Sequence, residues 1–216
     1  KPFGVNVPLL YPEIDKIMRI IADEKVSIVF TSAGNPELWT GYLREKGITV
    51  VHVVSSVKFA RKAEKCGVDA IVAEGFEAGG HNGREETTTF VLIPMVRDAV
   101  SIPLIGAGGI ATGRSMLASE ILGAEGFQVG SRFAVSQESS AHDKFKAIII
   151  ATEEGQTTVT MRQLTPVRIL KNKFYEKIKD AELRGATKEE LIEMLGSRRA
   201  KLGIFEGDLD EGELEI

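Results

Sequence analysis

The residues best placed to move a proton lie in Ala73-Glu74-Gly75-Phe76-Glu77-Ala78-Gly79-Gly80-His81-Asn82-Gly83. This stretch holds two carboxylates, four glycines and one of the three histidines. A histidine titrates near neutrality, so His81 can accept or donate a proton in the working range. Glu74 closes an apolar run and can meet a ligand hydroxyl or ring nitrogen there. Glu77 reads as structural or solvated. Glycine tolerates positive φ and lets backbone approach a ligand closely. The competing reading is a plain loop with a surface histidine.

A second set of residues suits a phosphate. Gly106-Ala107-Gly108-Gly109-Ile110 and Gly130-Ser131-Arg132 each follow a strand-like run. Both can present backbone N–H groups, and the first leads into a helix N-terminus. Arg114 adds charge just beyond. Tight packing is the alternative reason for such glycines. The strict dinucleotide pattern is absent, because Ala111 stands where it needs its third glycine. No metal-ligand spacing is present: His52, His81 and His142 are scattered and Cys66 ends a helix. His52 lies inside a strand and reads as a core histidine, and His142 as a surface one. Asn6 can offer its amide to a flat polar ring, while Trp39 reads as packing.

The elements that must position these groups follow a simple alternation. Strands are expected over 3–7, 26–30, 48–54, 68–74, 103–106 and 126–129. Helices are expected over 12–25, 36–46, 57–65, 89–100, 113–122 and 143–151, several opened by Asn35, Ser55-Ser56 or Thr87-Thr88-Thr89. Six β-then-α units imply a parallel sheet covered by helices. The sheet is either open and doubly wound, or a TIM (β/α)8 barrel lacking its first two βα units. The barrel is expected, because barrels bind phosphate in the loops after their last strands. From Glu153 the period breaks. Residues 1–152 are read as the barrel portion. Residues 153–216 are read as an appended, mainly helical segment that serves as a cover or lid. It has a short extended arm at 157–161, a capping box at Thr187-Lys188-Glu189-Glu190 and an acidic stretch trailing away after Glu206.

Composition limits the function classes. The chain has 216 residues, a net charge of −4, 43% hydrophobic residues and a single cysteine. These values describe a globular chain with no internal disulfide, in keeping with a cytoplasmic setting. There is no basic stripe for nucleic acid and no membrane-length apolar run. The opening Lys1-Pro2-Phe3-Gly4, without a Met, reads like the middle of something longer.

Taken together, the motifs resemble a known family. Gly4-Val5-Asn6, the 73–81 stretch, Ala107-Gly108-Gly109-Ile110 with Gly113-Arg114, and 122–133 through Gly130-Ser131-Arg132-Phe133 are similar, in order, to nitronate monooxygenases (2-nitropropane dioxygenases). That family includes the FMN-dependent enoyl-acyl-carrier-protein reductase II. The resemblance implies a TIM barrel holding FMN non-covalently. It places the FMN phosphate at Ala107, Gly108 and Gly109 and at Gly130 and Ser131. It places the flavin at Asn6 and Glu74, beside Gly79 and Gly80, with His81 facing the substrate. The first expectation is oxidation of an alkyl nitronate with O2. The alternative is NAD(P)H-dependent reduction of an enoyl thioester, with an acyl carrier protein as partner. A non-catalytic flavin module or inactive fragment is a third reading, and a homodimer is open. The family's first two βα units and its C-terminal Gly-Gln segment have no counterpart here. Val53 stands where many nitronate monooxygenases carry a lysine, and Gly79-Gly80-His81 resembles the reductase branch.

Overall fold

A computed structural model describes residues 3–216. Lys1 and Pro2, at the head of the expected first domain, lie outside the described residues. The chain divides into two compact units. The first runs up to Gly75 and resumes over Thr87–Gln128. The second comprises Phe76–Glu86 and Val129–Ile216. The expected boundary at 152/153 therefore falls inside the second unit. The histidine-bearing loop and the stretch from Val129 onward cluster with the C-terminal part.

The first unit is a six-stranded parallel sheet. Its strands are β1 (Gly4–Pro8), β2 (Ile28–Ser32), β3 (Thr49–Val54) and β4 (Ala70–Glu74), then β6 (Leu104–Ala107) and β7 (Gly126–Gln128). A two-residue strand, β5 (Gly80–His81), intervenes and belongs to the second unit. The sheet order is β1-β2-β3-β4-β6-β7, so it follows the chain without reversal. A doubly wound sheet would reverse at a switch point. The sequential order is that of a TIM barrel, here represented by six strands.

The crossovers carry α1 (Ile14–Asp23), α2 (Glu37–Glu45), α3 (Val57–Lys65), α4 (Thr89–Arg97) and α5 (Gly113–Ile121). Local chemistry explains where they start. Ser56 Oγ accepts the Phe59 amide at 3.4 Å. Thr112 and Ser115 form a reciprocal capping box. Met18 and Ile21 of α1, Leu43 of α2, Ala60 and Ala63 of α3 and Ile93 of α4 pack in one cluster with Val29, Val50, Ile71 and Leu104 from the strands. That cluster defines the helix-covered face of the sheet.

Side chains alternate across a strand, and register partners in a parallel sheet share a face. The opposite face therefore carries Asn6 beside Phe30, Phe30 beside Val51, Val53 beside Val72, and Glu74 beside Ala107 and Gln128. Val51, Val72 and Ala107 are buried there, with Phe30, Val53 and Ile105 packed against them.

The second unit holds a small sheet beside its helices. Its three-stranded antiparallel sheet has the order β5-β9-β8, with β8 at Thr157–Thr160 and β9 at Val167–Leu170. The β-branched run 157–160 finds a partner in Val167–Leu170, which supplies the physical reason. Around it lie α6 (Ser131–Ala134), α7 (Asp143–Ile150), α8 (Lys173–Leu183), α9 (Lys188–Leu195) and α10 (Arg199–Ile204). The capping box forms as expected, with the Thr187 amide donating to Glu190 Oε2 at 2.7 Å.

The acidic C-terminal stretch does not trail away. Leu214 is fully buried with Phe145, Ala141 and Leu170. Asn172 Nδ2 donates to the carbonyls of Leu209 and Gly212, each at 2.8 Å. A few apolar side chains and a satisfied backbone outweigh the charge of the intervening acids.

Candidate functional site

In the first unit, Glu74 is the residue with the most unusual setting. It ends β4 on the sheet face that lacks helices. Gln128 Nε2, at the end of β7, donates to Glu74 Oε2 at 3.4 Å. Burial pushes the Glu74 carboxyl up to about 7. An ionised carboxylate loses hydration when buried, and this long hydrogen bond replaces little of it. Glu74 thus changes protonation close to neutral pH and can offer a ligand either an O–H donor or an acceptor. Asn6 shares this face but sits mid-strand and exposed, not at the strand end. Gln128 is a polar strand-end residue that the sequence reading passed over, and its place after Gly126-Phe127 was the available signal.

The glycine turn after β6 is built by its neighbours. The Gly75 amide donates to the Ala107 carbonyl at 2.9 Å. Thr89 Oγ1 donates to the carbonyls of Ala107 at 3.2 Å and Gly108 at 2.8 Å. Gly108 has φ +99 and Gly109 φ +68. A Cβ on Gly108 would lie 2.7 Å from Thr89 Oγ1 and 2.8 Å from the Gly75 carbonyl. Gly108 is therefore required by the fold itself, whatever else the turn does. Ala107 is buried, whereas Gly109 is exposed.

His52 behaves as a core histidine. It is buried, with Nδ1 2.7 Å from Thr31 Oγ1. Burial, followed by the Lys62 charge, lowers it to about 4, so the ring stays neutral. Val53, on the same face as Glu74, is half-buried among apolar neighbours and brings no charge there. Trp39 packs edge-on against Tyr42 at 5.6 Å, as expected of a packing residue.

In the second unit, His81 lies on β5 opposite Val167, with its side chain 63% exposed. Its Nδ1 is 3.8 Å from Glu215 Oε1. The loop before it is clamped. Arg168 Nη2 donates to the Phe76 carbonyl at 3.0 Å, and its guanidinium lies 5.0 Å from the Phe76 ring centre. Asn82 Nδ2 donates to the carbonyls of Ala78 at 2.9 Å and Gly80 at 3.0 Å. No sequence signal links Arg168 to Phe76, 92 positions away. His142 is half-buried and accepts the Lys144 amide at 3.1 Å, so it serves as a helix cap rather than a surface histidine.

The four glycine and serine positions expected to touch cofactor here differ in character. A Cβ on Gly79 would collide with the Ile216 backbone, and one on Gly80 (φ +74) would lie 2.8 Å from Glu215 Oε2. These two glycines admit the chain's own C-terminal segment. Gly130 has a negative φ, and a Cβ there would meet nothing within 4 Å. Packing within the chain gives no reason for glycine at that position, which fits the close approach of a ligand. Gly130 and Ser131 are exposed at the start of α6. Among the described residues there is no cluster that could hold a metal ion, and no helix is long and apolar enough to cross a membrane.

Strands in barrel order define a TIM-barrel α/β fold, with a near-neutral carboxyl and a glycine turn at its strand ends. The family model described as nitronate monooxygenase matches residues 2–215. A probable nitronate monooxygenase of Staphylococcus aureus (strain JH9) is 42% identical over 149 residues, 65% of this chain and 42% of that protein. The chain thus spans well under two thirds of the length of such curated relatives. Among solved structures, FabK from Thermotoga maritima superimposes with a TM-score of 0.94 at 42% identity, covering all of this chain and 68% of that one. A nitroalkane oxidase from Streptomyces ansochromogenes gives 0.81 at 25% identity, covering all of this chain and 74% of that one. The chain belongs to the nitronate monooxygenase family, a family of flavin-dependent oxidoreductases.

Proposed function

We propose that this chain is the barrel portion of an FMN-dependent oxidoreductase whose substrate is an enoyl thioester, reduced at the expense of NAD(P)H. The observation that carries this reading is the likeness to FabK, an enoyl-acyl-carrier-protein reductase II, at 42% identity over the whole chain. The nitroalkane oxidase is more distant, at 25%. Val53 supports the same choice, because it leaves the Glu74 face without the lysine many nitronate monooxygenases carry. Oxidation of alkyl nitronates with O2 is the second reading, supported by the names of the curated relatives. An acyl carrier protein is the partner the first reading calls for.

The residues fit FMN in three respects: an open glycine at Gly130, an exposed glycine at Gly109, and a near-neutral acid at Glu74. In the proposal, Ala107, Gly108 and Gly109, with Gly130 and Ser131, hold the phosphate. Asn6 and Glu74 meet the polar edge of the flavin. Gly79 and Gly80 shape the loop rather than donate to the cofactor. Bound FMN supplies hydride transfer; the chain supplies orientation and electrostatics. His81, exposed on a short strand with its loop clamped by Arg168, gives a proton to the substrate carbon or takes one from it.

The test is His81→Ala in the full-length protein. General acid–base groups contribute roughly 10²–10⁴-fold. Crotonyl-thioester-dependent NAD(P)H oxidation should fall by about that factor, with the visible spectrum intact. Undiminished turnover would remove His81 from the mechanism. Nitronate turnover without thioester reduction would install the second reading.

A further inference from the structure

His81 has a carboxylate behind it that the proposed function does not use. Glu215 Oε1 lies 3.8 Å from His81 Nδ1, and the Glu215 side chain is only 23% exposed. Both groups are held by one strand. β9 pairs with His81 through Val167 and forms a β-bridge with Glu215 through Ile169. The Leu170 amide donates to the Leu214 carbonyl at 3.0 Å, which fixes the segment just before Glu215. Gly80 is what lets the carboxylate come close, since a side chain there would meet Glu215 Oε2.

We propose that Glu215 is a positioning residue for His81: it holds the Nδ1 side of the ring, so that Nε2 is the nitrogen presented to substrate. The idea rests on His81 being the proton-handling residue. A carboxylate at one imidazole nitrogen fixes the tautomer and favours the charged ring. The proton on Nδ1 then stays on the ring while the one at Nε2 is exchanged with substrate. The 3.8 Å separation is an ion-pair distance, longer than a hydrogen bond, and such contacts often tighten when ligand binds.

Arg168 of β9 stands opposite Gly80, one register position from His81. Glu213 is buried nearby and is pushed up to about 7 by burial and then by the Glu215 charge, with Arg199 opposing. Glu215 is itself raised by burial and drawn back by His81. Burial thus raises both carboxyls of this pair, while the His81 side favours the charged form of Glu215.

The test compares the full-length protein with Glu215→Gln and Glu215→Asp by NMR of ring-labelled histidine, alongside the pH profile of turnover. In the parent protein, His81 should be protonated on Nδ1 when neutral. In Glu215→Gln that preference for the Nδ1-protonated tautomer should be lost. Turnover should drop roughly tenfold with KM and the flavin spectrum unchanged, and Glu215→Asp should recover part of the loss. An Nε2-protonated neutral ring in the parent, or an unchanged Nδ1-protonated tautomer in Glu215→Gln, overturns the proposal. The parent tautomer decides the matter even if a variant fails to fold. The NMR readings do not depend on turnover, so they stand apart from the His81→Ala test of the catalytic assignment itself.

Discussion

Glu74 shows how one side chain ties stability to pH. Its carboxyl titrates near the ordinary 4.5 when unfolded and near 7 when folded. Between those values the folded state binds the extra proton, so stability is lost as pH rises through the window. Above pH 7 the buried charge costs on the order of 3 kcal/mol. Glu74→Gln should therefore stabilise the protein at pH 8 and leave it nearly unchanged at pH 4.5, as read from urea midpoints. An equal effect at both values would mean that folding does not raise the Glu74 carboxyl. Glu213 contributes a slope of the same sign, which remains in the variant. His52 works in the opposite sense: its folded value of about 4 means stability is lost as pH falls below about 6.5. Glu74 and His81 are both legible in the sequence, because a carboxylate at a strand end and a histidine in a glycine loop are local patterns. Gln128, Arg168 and Glu215 are not, since each acts only through contacts far away along the chain.

The elements separate two kinds of glycine that look alike in the sequence. Gly108 sits at φ +99 against Thr89 and Gly75, whereas Gly130 sits at negative φ in open space. Gly108→Ala should lower stability by about 1–3 kcal/mol, because both the backbone conformation and the contacts resist a Cβ. Gly130→Ala should leave the melting temperature almost unchanged and weaken FMN binding instead. Thermal melts with and without added FMN distinguish the two. A Gly130→Ala variant that melts early without gaining weaker FMN affinity would show that its role is structural. The six parallel strands and their helices are readable from period and caps, with ends that differ by at most three residues. β5 and β9 were not readable. Two residues carry no periodicity, and Val167–Leu170 becomes a strand only because Thr157–Thr160 and Gly80–His81 lie alongside it.

At the scale of the whole molecule, the chain divides into two units. Asn6, Glu74 and Ala107 to Gly109 belong to the first, and His81, Gly130 and Ser131 to the second. The βα period stops near residue 152, which is where the sequence alone suggests a boundary. Contacts instead assign the 76–86 loop to the C-terminal part, which no local pattern could reveal. The central claim is that this family member runs flavin chemistry on an enoyl thioester. The most direct measurement is the visible spectrum of the full-length protein under anaerobic conditions, first with NAD(P)H and then with crotonyl thioester. The expected result is a flavin spectrum that NAD(P)H bleaches and the thioester restores. A flavin that ignores NAD(P)H but is bleached by a nitronate, or a protein that binds no FMN at all, would contradict it.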